Sequence, residues 1–382
     1  MKFSKIICIF FICLYSIVSF VYMVTLVYNF DNVRKGTSST EYFPYYDKIV
    51  MLNTLVKTKL NKKFILKANG NIYDHYYKYN DGNIVHFSDI VNDNSLKLVE
   101  KIIDMNQYLN KNNINFIYVE TPKKEYFYQD VLSNYGFEYS YKKESVIYPA
   151  FDNENINYVI GNSILENSNI ERQDLFYKLD YHWNSKTSLF FAKQLINYLN
   201  DSYDYDFDTS NLEANNLHKL TYNNSFYGYY GRILGQSFKN YDDFVIYEPN
   251  KTSDYAVYYG KDKKTIYGNY LETLFDIKKI KNGGNNEYQA YVHQIGGLQP
   301  IIKIKNNDLN QDKKIMFISD SMFYGLAPYL SLSIGNIEAI DIRKDNGNFN
   351  GNLKEYIESS KPDCIIYITD TMYDEDLDKL NF

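Results

Sequence analysis

The chain has 382 residues and a net charge of −6 with both signs interspersed, so the basic stripe that marks a nucleic-acid binder is missing. Its length allows one large or two ordinary domains with a sizeable core. Aromatic residues are plentiful, 42 Tyr and 24 Phe against one Trp, which reads either as codon bias of an AT-rich genome or as sugar-stacking surface.

The first stretch, "MKFSKIICIFFICLYSIVSFVYMVTLVYNF", carries Lys2 and Lys5 and then an uncharged, largely apolar run from Ile6 to Phe30. A bilayer core needs roughly 20 such residues, whereas a signal peptide has an apolar core of about 7–15 and ends in small residues. Residues 1–30 are therefore predicted to be a single-pass signal anchor. The positive-inside tendency keeps the two lysines in the cytoplasm and sends the bulk of the chain across. Residues 31–84, weakly periodic and including "KGTSST", read as a juxtamembrane connector. Residues 85–382 read as one catalytic domain. Cys8 and Cys13 fall in the anchor and Cys364 sits in the apolar run "CIIYI", so no disulfide framework is expected in that domain.

From about residue 90 the spacing of Leu98, Val99, Ile102, Ile103 and Leu109 predicts a helix, with Asn106 as a polar interruption. "NFIYV" (115–119) predicts a buried strand that "ETPKK" ends. "NSKTSLFFAKQLINYL" (184–199) predicts an amphipathic helix capped by Asn184 or Ser185. Residues 200–300, rich in Tyr, Gly and Asn with pieces such as "DFVIYEP", read as an irregular insertion. Then come strand 314–318, helix 322–332 with Pro328 at its start or in a kink, strand 337–342, helix 352–360 and strand 364–368. This alternation predicts an α/β domain with a parallel sheet flanked by helices. Ligands then bind at the carboxyl ends of the strands, which singles out Thr121–Lys123, Ser319–Ser321, Arg343 and Thr369–Asp370.

Two stretches carry chemistry. "IMFISDSMFYG" (315–325) gives strand, tight turn and helix, with Ser321 at a helix N-terminus, where backbone N–H groups favour negative charge. Ser321 is the candidate nucleophile, its own N–H a candidate oxyanion donor; the bland alternative is a helix cap. "KLDYHWNSK" (178–186) puts Asp180 and His182 two apart, so both side chains can project one way and form an acid–base pair. The alternatives are a structural histidine or a metal fragment. None of the five histidines has zinc-like spacing, so no metal is assigned and no cofactor is expected.

"FYKLDYHWNSKTSLFFAKQL" resembles the Asp-x-His-Trp segment of the DHHW and AlgX/AlgJ families, which are SGNH-hydrolase-like proteins typified by the alginate O-acetylation machinery. "NINFIYVETPKKEYFY", "SFYGYYGRILG", "YDDFVIYEP", "GGLQPIIKIKN", "IMFISDSMFYGLAPYL" and "IDIR" resemble further DHHW segments in the same order. The resemblance spans residues 85–382. It implies an SGNH-like fold with permuted motif order, Asp180 and His182 as acid and base, and Ser321 as nucleophile. It also implies that Arg343 reaches the site. Tyr181 stands where the namesake has His, Ser319 where a Gly is usual, and Met322 where a Phe is usual. Trp183 either stacks on a sugar or packs under the histidine, and Gly296 and Gly297 are candidates for further oxyanion donors.

The function expected on this basis is O-acetyl transfer to a cell-envelope or secreted polysaccharide. The resemblance implies a membrane-bound O-acyltransferase as the partner that supplies the acyl group. An acetyl esterase with the same residues and a non-catalytic glycan-binding or assembly scaffold are the alternatives.

Overall fold

In the computed structural model of the protein, the residues described are 64–66, 74–88, 95–132, 142–234, 241–281, 290–343, 349–369 and 374–382, besides Ser16. The predicted anchor, apart from Ser16, lies outside them. None of the described helices is long and apolar enough to cross a membrane.

The strands in chain order are β1 (Phe64–Leu66), β2 (Asp74–Lys78), β3 (Ile84–Ser88), β4 (Asn115–Glu120), β5 (Tyr158–Ile160), β6 (Leu217–Phe226), β7 (Asp242–Pro249), β8 (Tyr255–Tyr259), β9 (Lys264–Gly268), β10 (Ile301–Asn306), β11 (Lys314–Ser319), β12 (Asn336–Asp341) and β13 (Cys364–Thr369). The main helices are α1 (Ser95–Lys111), α2 (Lys142–Asn153), α3 (Gly161–Glu166), α4 (Ser185–Tyr203), α5 (Tyr229–Leu234), α6 (Met322–Leu330) and α7 (Leu353–Ser360).

The central sheet has 8 strands in the order β5-β4-β13-β11-β12-β10-β8-β9. From β5 to β12 its neighbours run parallel, as predicted. The parallel strands are buried on both faces and so read as unbroken apolar runs. Ile117, Val119, Ile315, Phe317, Cys364 and Ile366 face the layer of α4 and α6. Phe116, Tyr118, Met316, Ile318, Ile365 and Tyr367 alternate with them and face α1, α2 and α7. The Cys364 thiol is fully buried, as its apolar run predicts.

The rest of the sheet departs from expectation. β10 pairs antiparallel with β12 and β8, and β8 antiparallel with β9. Parallel neighbours need a crossover of a dozen or more residues, and the link between β8 and β9 is too short for one. Part of the stretch read as an irregular insertion thus extends the main sheet, while β6 and β7 form a separate two-stranded one. β1, β2 and β3 form a three-stranded antiparallel sheet that runs through residue 84. Tyr76 and Ile84 pack with Leu179, Tyr227 and Tyr230.

Local signals place α4. Asn184 caps it, its side chain accepting from Thr187 N at 3.1 Å. α4 crosses α6 at Gly325, where a Cβ would lie 2.7 Å from Ser188 Oγ and 3.0 Å from Trp183 Nε1. Only a residue without a side chain lets the two helices approach so closely. Every residue of α6 is buried, and Pro328 lies inside it.

Candidate active site

β11 ends at Ser319, and the chain turns through Asp320 and Ser321 into α6. The helix is capped by Asp320, whose carboxylate accepts from Met322 N at 2.8 Å. Ser321 makes no side-chain cap bond. Its hydroxyl lies 3.0 Å from His182 Nε2 instead. His182 Nδ1 lies 2.5 Å from Asp180 Oδ1, so the carboxylate fixes the tautomer: the proton sits on Nδ1, and Nε2 is free to accept from Ser321. The three groups foreseen from sequence, with Ser321 139 residues beyond His182, thus meet in one hydrogen-bonded line.

The loop from Tyr177 to His182 that carries the pair has no regular structure of its own. It is closed by Tyr177 N donating to His182 O at 3.1 Å. Asp180 is 2 % exposed, and each of its oxygens has a backbone donor. His182 N donates to Oδ1 at 2.9 Å and Tyr229 N to Oδ2 at 2.5 Å. Tyr229 opens α5, and the residue before it, Gly228, has φ +57°. A Cβ there would sit 2.2 Å from Leu179 O, so glycine is needed both for the backbone angle and for the approach to the acid.

Burial alone would raise the Asp180 pKa, but His182 and the N–H groups of His182 and Tyr229 outweigh it and hold the carboxyl below its usual range. A depressed folded value means that this contribution to stability is complete above about pH 4 and is lost as pH falls through the folded value. We expect acid unfolding of the wild type to be steeper below about pH 4 than that of Asp180→Ala, in tyrosine circular dichroism followed against pH.

Two tyrosines stack on the imidazole. Tyr181 lies 4.1 Å from His182 between ring centroids at 30°, and Tyr291 lies 4.1 Å away at 28°. Two near-parallel rings at that distance cannot share a face, so they enclose the imidazole from both sides. The Tyr291 hydroxyl donates to Ser321 O at 3.0 Å and accepts from Gly325 N at 3.1 Å, tying the histidine's neighbour to the start of α6.

The other sequence candidates fall at varied distances from this line. Arg343 makes a bidentate pair with Asp341, at 3.0 and 2.7 Å, with its side chain 14 % exposed. Burial would lower its pKa, but Asp341 and the Asp320 carboxylate raise it, so the guanidinium stays charged beside the turn that carries Ser321. Trp183 is fully buried against Phe191, with its indole edge on Gly325. Fully buried, it offers no ring face to a sugar; it packs between α4 and α6. Gly297 N donates to Gln294 O at 2.9 Å, which commits that N–H to its own turn; Gln299 Nε2 takes Gly296 O. Neither glycine is seen to aim a free donor at Ser321. Thr121 Oγ1 donates to Thr369 O, joining the ends of β4 and β13. Asp370 lies outside the described residues.

Sequence reasoning missed Lys124. Its ammonium is buried and donates to Tyr177 O, Lys178 O and Asp180 O at 2.7, 2.9 and 3.0 Å. Burial pushes its pKa down to about 7, against the pull of Asp242, Asp180, Asp81 and Glu125. Burial pushes Asp242 up to about 6, with Lys124 opposing. The signal was the second lysine of "ETPKKEYFY", which sequence alone does not set apart from the first. Tyr291 was missed because the stretch around it carries no motif.

Ser321, in the turn after the parallel strand β11, meets His182 and Asp180 from the loop before α4 in an α/β protein whose central sheet is flanked by helices. No protein-family model and no curated protein matches the chain. Among solved structures, it is similar to a DHHW family protein from Eubacterium siraeum, with TM-score 0.57 and 18 % identity over 78 % of this chain and 90 % of that one. It is also similar to Bacillus cereus PatB1, with TM-score 0.59 and 15 % identity over 81 % of this chain and 99 % of that one. A second PatB1 structure, which carries a sulfonyl adduct, matches at TM-score 0.59 and 15 % identity over 81 % and 98 %. The DHHW-like fold expected from the sequence is thereby found.

Proposed function

We propose that the protein is an O-acyltransferase, with acetyl as the group moved and a cell-envelope or secreted polysaccharide as the acceptor. The observation that carries this is the hydrogen-bonded line from Asp180 through His182 to Ser321. His182 Nε2 takes the hydroxyl proton as Ser321 Oγ attacks the acyl carbonyl. The Asp180 carboxylate stabilises the imidazolium, and the stacked tyrosine faces favour its positive charge. The Ser321 N–H is assigned to the developing oxyanion, because the Met322, Phe323, Tyr324 and Gly325 N–H groups that open α6 already donate to Asp320, Ser321 O and Tyr291. Collapse of the tetrahedral species expels the donor's alcohol, which takes the proton back from Nε2. A sugar hydroxyl then enters, gives its proton to Nε2 and carries the acyl group away, which restores Ser321.

Acetyl as the group and polysaccharide as the acceptor rest on the sequence resemblance to the AlgX/AlgJ and DHHW families. Lys2, Lys5 and the apolar run to Phe30 support a single-pass anchor with the domain outside the cytoplasm. A membrane-bound O-acyltransferase is the partner that fits a domain so placed, because acetyl donors are made inside.

The test uses the full chain with a chromogenic acetyl ester, with and without acceptor oligosaccharide, and a sulfonyl fluoride. Wild type is expected to gain one sulfonyl group on Ser321 and lose activity. Ser321→Ala is expected to take up none and to turn over at least about 10⁴-fold more slowly. Sulfonylation at another residue, or a Ser321→Ala variant as active as wild type, would overturn the assignment. Acetate release with no acetylated glycan would make the protein an esterase with the same residues. Unchanged glycan acetylation in cells carrying Ser321→Ala would make it a scaffold.

A further inference from the structure

We propose that Lys124 is a positioning residue for the Asp180–His182 pair, holding their loop to the end of the sheet that presents Ser321, with Asp242 as its counterpart. The proposal rests on the reading of Asp180, His182 and Ser321 as a proton relay.

Three carbonyls from a four-residue stretch, Tyr177, Lys178 and Asp180, converge on one ammonium at 2.7, 2.9 and 3.0 Å. Carbonyl dipoles aimed at one point repel each other unless a cation sits there. An ammonium has three donors, and all three are used here. Lys124 lies in the turn after β4, which ends at Glu120, and is 1 % exposed, so the tie runs from the end of the sheet to the loop without solvent between. The opposite polarity is met by Asp242, whose Oδ2 accepts from Leu179 N at 3.3 Å. Leu179 O accepts from Tyr230 N at 3.0 Å and Gly231 N at 3.3 Å. The backbone of the stretch is thus held by a buried cation, a half-buried carboxylate and the first turn of α5.

Tyr76, Leu179, Tyr227 and Tyr230 make an apolar cluster at this place, and the Lys124 ammonium stands 5.9 Å from the Tyr230 ring. An apolar side chain would fill the space as well. What the cation adds is control of where the carbonyls point. The Asp180 carbonyl is one of the three, so its direction sets the Cα–Cβ vector of the acid and with it the 2.5 Å bond to His182. A misplacement of about 1 Å in such an arrangement can cost about 100-fold in rate.

The test compares wild type, Lys124→Met, Lys124→Arg and Asp242→Asn as full chains. Three readouts are taken: turnover of the acetyl ester, the rate of Ser321 sulfonylation, and the low-field proton resonance of the His182 Nδ1–H bonded to Asp180. Lys124→Met is expected to lower kcat about 100-fold with KM within about threefold, and to shift or broaden the resonance. A merely structural lysine would lower the unfolding midpoint and leave kcat, sulfonylation and resonance of the folded protein as in wild type; that result overturns the proposal. Should Lys124→Met not fold, Lys124→Arg decides. Its larger guanidinium is expected to keep the charge but displace the resonance and slow sulfonylation, and an unchanged resonance and rate would again overturn it. If wild type itself shows neither ester turnover nor sulfonylation, the acyl-transfer reading fails, while the resonance still reports whether Lys124 sets the Asp180–His182 bond.

Discussion

Asp180→Asn is expected to lower kcat by about 10⁴-fold while leaving the fold in place, a loss of about 5.5 kcal/mol from transition-state stabilisation. Both carboxylate oxygens work as acceptors. Oδ1 takes His182 N and Nδ1, and Oδ2 takes Tyr229 N. An amide has one oxygen and one NH2. With its oxygen toward Tyr229, the NH2 meets the His182 backbone N–H and forces Nδ1 to become an acceptor. The proton then moves to Nε2, and the ring cannot take one from Ser321. With its oxygen toward His182, the NH2 meets Tyr229 N–H and the side chain is pushed off its seat. Either way the tautomer or the geometry fails. Steady-state rates on the acetyl ester, beside a circular dichroism spectrum matching wild type, check this. A variant within about tenfold of wild type would mean that Asp180 does not orient the base.

Trp183→Ala is expected to do the reverse first, costing about 3–5 kcal/mol of stability through the cavity it leaves. The indole is fully buried between Phe191 of α4 and Gly325 of α6. Among the described residues its Nε1–H meets no acceptor, so the ring contributes by volume and contact rather than by a hydrogen bond. Trp183→Phe should therefore recover much of the loss, since it keeps the aromatic packing and removes the unmet donor. Urea unfolding followed by far-ultraviolet circular dichroism measures both. If Trp183→Ala unfolds within about 1 kcal/mol of wild type while losing acceptor binding, the sugar-stacking role would return.

The sequence was legible where physics leaves a local mark. The strands 115–119, 314–318 and 364–368 read as unbroken apolar runs because both of their faces are covered, and the sheet contains them as β4, β11 and β13. Asn184 was readable as a cap because it stands just before an amphipathic helical run, where its side-chain oxygen meets the N–H of Thr187. Asp180, His182 and Ser321 were readable through the order of their motifs. What stayed hidden depends on partners far along the chain. Lys124 carries no local mark that sets it apart from Lys123 beside it until the loop 53–56 residues away closes over its ammonium. Tyr229 contributes a backbone N–H, which its side chain does not announce. β8 and β9 were taken as irregular because β9 is a short edge strand with no buried residue, and β8, YAVYY, is too short and tyrosine-rich to stand out from the aromatic-rich stretch around it.

The two rings enclosing His182 bear on the order of events in any double displacement. An imidazole sandwiched at 4.1 Å on each side cannot turn over unless Tyr181 and Tyr291 both part. The edge that collects a proton in the first half-reaction must therefore be the edge that surrenders it, and incoming and outgoing alcohols must use one doorway in succession. Departure of the spent donor then precedes arrival of the acceptor, which is the ping-pong pattern in initial-rate kinetics.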